Sequence, residues 1–86
     1  MIMGVNKVFA HAGRELHIQA EDLGVEHACF EVRVYDGGAV LWCKKVPYNA
    51  VLERELPKPE RELELHGLME RTIQTVQAAI AKGKIG

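Results

Sequence analysis

Side chains able to do chemistry are sparse in this chain, and their types set the first limits. No serine occurs; cysteine occurs twice, as Cys29 and Cys43, and histidine four times. A thiol becomes a nucleophile when a neighbouring base or cation holds it as the thiolate. His17 or His27 would be that base for Cys29 or Cys43, yet no family-type motif surrounds either cysteine, and no catalytic residue is assigned. His27 and Cys29 are two apart, so on a strand they point the same way, and His17, with His11 as a further member, completes a candidate metal set of His17, His27 and Cys29. Zinc favours such ligands, but its structural sites usually show paired Cys-x-x-Cys or His spacings, which are missing here. Surface histidines beside carboxylates, such as His17 by Glu31, account for the same residues. Gly37-Gly38 has the look of a hairpin turn, with no helix behind it to form a phosphate loop. No cofactor is expected.

A second chemistry is base stacking. Tyr35 and Trp42, with Arg33, Lys44 and Lys7, are the residue types with which open sheets hold single-stranded nucleic acid. Glu15, Glu21 and Glu31 dilute the field on the same face, and the net charge of −1 argues against binding driven by bulk charge. Nucleic-acid binding therefore ranks second among the readings, and a metal or thiol site third.

These residues are positioned by a pattern of strands followed by a helix. In CFEVRVYDGGAVLWCKK, residues 29–45, alternation on both sides of Asp36-Gly37-Gly38 reads as a hairpin, because glycine reaches positive φ without a Cβ clash. With Gly37-Gly38 as the turn centre, Tyr35 opposes Val40, Val34 opposes Leu41, Arg33 opposes Trp42, Val32 opposes Cys43 and Glu31 opposes Lys44. That register collects Val32, Val34, Leu41 and Cys43 on one face and sets Arg33 over Trp42 on the other. Upstream, Leu16, Ile18 and Ala20 alternate with His17, Gln19 and Glu21. Pairing Ile18 with Phe30 and Leu16 with Val32 gives favourable charge pairs, Glu15 with Arg33 and His17 with Glu31. NKVFAHA, before Gly13, is a weaker strand on which Phe9 could face either way.

From about Pro59 to Lys82 the period changes to that of a helix. Leu65, Leu68, Met69, Thr72, Ile73, Val76, Ala79 and Ile80 form one stripe, with Pro59 and three glutamates at the start and Gly83 at the end. The fold expected is α+β: an antiparallel meander of three or four strands with one long C-terminal helix packed on one face, as a single domain of residues 1–86.

One helix covers one face of a sheet. The other, holding Arg33, Tyr35, Val40, Trp42 and Lys44, is too apolar to be left bare without a reason. The leading reading is therefore a small protein-interaction module, homodimeric through the exposed sheet face or edge, with those five residues as the interface. The competing cover is the junction VPYNAVLERELPKPE folding back so that Val51, Leu52 and Leu56 lie over Trp42. In the same register Cys43 is buried and Cys29 accessible. The opening MIMGVNKVF shows neither a signal peptide nor a membrane span, and two cysteines are too few for a disulfide scaffold, so the expected setting is cytoplasmic, with free thiols and no membrane contact.

Overall fold

The computed structural model describes residues 4–85. Four strands, β1 (Gly4–His11), β2 (Arg14–Asp22), β3 (Cys29–Asp36) and β4 (Ala39–Pro47), form an antiparallel sheet in the order β1-β2-β3-β4. A single helical turn, α1 (Asn49–Leu52), and a long helix, α2 (Lys58–Ala81), follow. The protein is α+β, a meander with its helix on one face.

The stripe read from the sequence is the one α2 buries: Leu65, Met69, Ile73, Val76 and Ile80. Pro59 sits in the first turn, where its missing N–H costs nothing, and Gly83 at φ +75° ends the helix. Facing the helix are Leu16, Ile18 and Ala20 of β2 and Phe30, Val32 and Val34 of β3, all at most 2% exposed. Phe9 resolves to this face and stacks on His11, the ring planes 8° apart.

Two registers differ from the sequence-based expectation. β2 pairs with β3 as Ile18↔Val34 and Ala20↔Val32, four residues from the expected Ile18 beside Phe30. An even shift leaves every side chain on its face, so the alternation could not detect it. In the observed register the hairpin centre moves from about residue 24 to residue 26, residues 23–28 form the connection, and the ladder includes the pairs Glu21↔Glu31 and Asp22↔Phe30. Charge pairing was the wrong guide. Exposed cross-strand pairs are worth ~0.2–1 kcal/mol, against ~1.5–3 kcal/mol for each large apolar side chain buried. The like-charged Glu21↔Glu31 pair is offset by the Arg33–Glu31 ion pair and by Lys45 opposite Glu31.

The second difference changes which residues face the helix. Tyr35↔Val40 and Asp36↔Ala39 flank Gly37-Gly38 as expected, but a bulge follows and the next pair is Val34↔Trp42. Leu41 is the extra residue. Beyond it Arg33 opposes Cys43 and Glu31 opposes Lys45. Trp42, Lys44 and Val46 therefore share the helix-side face with Val34, Val32 and Phe30, while Cys43 and Lys45 turn outward. The gain is apolar area: Trp42 and Val46 pack against the core, where Leu41 and Cys43 would otherwise stand. Deleting Leu41 should accordingly be tolerated, because it converts the bulged ladder to a regular one with the same pairs. In an unbulged hairpin the same deletion would invert the rest of β4. A urea melt within about 1 kcal/mol of the parent supports the bulge; an unfolded product refutes it.

Candidate functional site

The uncovered face of the sheet reads as transverse rows. Val8, His17, Tyr35 and Val40 line up across all four strands; Asn6, Gln19, Arg33 and Cys43 form the next row, and Gly4, Glu21, Glu31 and Lys45 the one after. None of these residues is buried. Tyr35 first and Glu31 second favour the charged guanidinium of Arg33, which lies between them on the same strand. Of the five residues expected at an interface on this face, Arg33, Tyr35 and Val40 are here. Trp42 and Lys44 are on the opposite side, because the bulge at Leu41 inverted the strand after it. With Trp42 gone, the aromatic pair that base stacking would use is split between two faces, and Glu15, Glu21 and Glu31 remain among the outward residues of β2 and β3.

The candidate metal residues are not gathered. His17 is midway along β2, 3.2 Å from Glu15, whereas His27 lies in the turn before β3 and Cys29 bonds through its carbonyl to Leu23. Leu23 is six residues from His17 along β2, about 20 Å. Among the described residues no group of three His, Cys, Asp or Glu side chains comes together to hold a metal. The thiols are reversed from the expected order: Cys43 is exposed, opposite Arg33 rather than a histidine, and Cys29 is half-buried.

The displaced tryptophan defines a different site. α2 lies closest to β1 and β2, so the helix-side residues of β4 are only partly covered. Between β4 and the second half of α2 runs an open groove of ≈ 310 Å³, lined by Trp42, Lys44 and Val46 on one wall, Thr72, Thr75, Val76 and Ala79 on the other, and Ile85 at the end. Trp42 is half-buried and packs against the core from its edge. The Thr72 and Thr75 hydroxyls donate to the carbonyls of Leu68 and Arg71, so their protons are already used and they present methyl groups and oxygen lone pairs. Lys44 is the sole charge among the lining residues. A smaller, polar cleft of ≈ 270 Å³ lies at the other edge, between Val5, Asn6 and Lys7 of β1 and Glu70, Ile73 and Gln74 of α2.

Both sheet edges carry devices that discourage strand addition. β4 has the Leu41 bulge, Lys44, Lys45 and a terminal Pro47; β1 directs Lys7 toward the helix side at its middle. The junction after β4 does not reach the Trp42 groove. Tyr48 is 2% exposed and Val51 and Leu52 pack with it against the core, while Arg54 pairs with Glu64 at 3.3 Å. The Tyr48 hydroxyl donates to Asp22 Oδ1 at 2.6 Å, and the Gly24 N–H donates to the same oxygen at 2.9 Å, so one carboxylate ties the β2–β3 turn to the junction.

That tie gives a stability prediction. Burial, and then the bond to Asp22, push the Tyr48 phenol above its ordinary range. The fold prefers the neutral phenol, so its contribution is fully present below about pH 10 and is lost as pH rises beyond that. Tyr48→Phe should cost about 1.5–3 kcal/mol at neutral pH, the value of a hydrogen bond to a charged group. Urea melts at neutral pH and above pH 10 check both parts: the parent weakens with alkali and the variant's deficit shrinks. A deficit that is constant across the range removes Tyr48 as the alkaline group.

Among the described residues no helix is long and apolar enough to cross a membrane. No family model matches this chain, and neither the curated proteins nor the solved structures searched contain a similar one. What the groove does is therefore read from its geometry.

Proposed function

We propose that this chain is a small protein-interaction module that self-associates, with the groove around Trp42 at the joint. One observation carries the reading: the chain's single tryptophan is half-buried in an apolar groove that no other segment among the described residues closes. Tryptophan is over-represented among residues that dominate association energies, because it buries on the order of 200 Å² in one rigid group. The blunted edges speak against simple extension of the sheet, and a docked groove needs none. A cytoplasmic setting, in which Cys29 and Cys43 remain thiols, goes with this reading.

Sizing by light scattering across a wide concentration range tests it. A dimer mass that falls to the monomer on dilution supports the proposal; a monomer at every concentration ends it. The row Val8–His17–Tyr35–Val40 favours a second reading, association through the outer sheet face, since Val8 and Val40 are 56% and 54% exposed. Charging both valines separates the two: loss of the dimer in Val8→Glu/Val40→Glu would assign the joint to that face. Salt-dependent binding of a mixed oligonucleotide pool by the monomer would revive the nucleic-acid alternative.

A further inference from the structure

We infer that the Trp42 groove binds a small anionic amphiphile, a single medium-length acyl chain ending in a carboxylate. The carboxylate sits on Lys44 and the chain lies past Trp42 toward Ala79 and Ile85. One copy of the protein suffices for this site, so the inference goes beyond self-association; where a second copy occupies the groove, the two compete. Size and polarity select the ligand class. At ≈ 310 Å³ the groove is at the small end of ligand sites, which hold about 300–1,000 Å³, are lined mostly by apolar groups and fix orientation with a few polar ones. Trp42, Val46, Val76, Ala79 and Ile85 supply the apolar lining. Trp42 and Val46 are four residues apart on β4, about 13 Å. A helix about 10 Å in diameter would fill roughly 1,000 Å³ over that length, so it could insert only a row of side chains, whereas a single acyl chain fits whole.

Charge sets the sign of the head group. Both walls come from acid-free stretches: residues 37–52 carry Lys44 and Lys45, residues 71–86 carry Arg71, Lys82 and Lys84, and all 12 acidic side chains lie elsewhere. Among the described residues no carboxylate pairs with Lys44. Lys44 opposes the buried Val32 and stands between Trp42 and Val46 on the helix-side face, yet it is exposed overall. Its stem therefore runs along apolar surface while the ammonium reaches water at the rim, where a carboxylate stays solvated and its chain does not. On the other wall Thr72 and Thr75 have spent their protons on Leu68 and Arg71, and their lone pairs repel an anion. Lys44 is left as the anchor. The cleft at the β1 edge holds both Lys7 and Glu70 and selects neither sign.

The single tryptophan reports on the groove directly. In dilute protein at low salt, decanoate titrated below its micelle concentration should shift the emission to shorter wavelength and saturate. Decanol should bind more weakly and decylammonium most weakly. Lys44→Glu should weaken decanoate at least about tenfold, since an attraction becomes a repulsion, and should make decylammonium the preferred probe, with decanol changed by less than about twofold. Raising the salt should shrink the difference between the charged probes. Thr75→Phe, at an exposed position of the groove wall, should weaken all three probes alike while circular dichroism stays that of the parent. Sedimentation velocity on the same samples reads self-association separately: where the parent is a dimer, decanoate should lower its mass. An emission that does not shift or does not saturate overturns the inference. So does equal affinity for decanoate and decylammonium, or a Lys44→Glu protein with the parent's preference.

Discussion

Val34→Asp is expected to abolish the fold. Val34 is 0% exposed, between Ile18 and Trp42 on the helix-side face of the sheet. Among the described residues no buried polar or charged residue stands in that core to receive a carboxylate. Burying an unpaired ionised group costs several kcal/mol even after partial relaxation. Small domains have only about 5–15 kcal/mol in total, and a chain this short belongs near the lower end. Far-UV circular dichroism should therefore show loss of both strand and helix signal at room temperature. Val40→Asp is the matched control: same chemistry, same hairpin, but a side chain 54% exposed, with an effect within about 0.5 kcal/mol. A Val34→Asp protein that melts like its parent would show that this face of β3 is not the core.

The second large effect is on association. Trp42→Ala should weaken the dimer by at least about thirtyfold, the equivalent of ~2 kcal/mol for an anchor residue. The strands and helix should persist, because the ring lies at the margin of the core rather than at its centre. In the parent, tryptophan emission should move to longer wavelength on dilution, as the second copy leaves and water reaches the exposed side of the ring. Emission that is independent of concentration, with a monomer mass throughout, would mean that the groove stays open and that Trp42 serves only to edge the core. The same titration on Val8→Glu/Val40→Glu distinguishes loss of the groove contact from loss of an outer-face contact.

Some of this was written plainly in the chain. The run Leu65, Met69, Ile73, Val76, Ile80 has a helical period and no competitor, and a helix expected from about Pro59 to Lys82 is observed at Lys58–Ala81. Leu16, Ile18, Ala20, Phe30, Val32 and Val34 alternate strictly with polar residues, which fixed them as core whichever strand register held. Gly37-Gly38 named its own turn: with φ of +58° and +87°, both central positions need the left-handed backbone that glycine supplies cheaply. For the site, the sequence points to Trp42 and Lys44 but places them on the wrong face, and the helix residues that complete the groove show only as part of the core stripe.

What the sequence alone determined, then, is the two periodicities and the turn between β3 and β4: where helix and strands are, and which side of β2 and β3 is apolar. Tertiary structure decided how the strands slide and where β4 inverts. A slide by an even number of residues moves no side chain between faces, so alternation cannot distinguish Ile18 beside Phe30 from Ile18 beside Val34; the length of the β2–β3 turn and the bonds at Asp22 had to choose. A single extra residue does the reverse. VLWCKKV offers apolar groups at both parities, Val40, Trp42 and Val46 at one and Leu41 and Cys43 at the other. Local pattern is therefore nearly indifferent. Only the packed core, which gains more by taking Trp42 and Val46 than Leu41 and Cys43, makes the bulge worth its lost ladder bond and turns the tryptophan toward the helix.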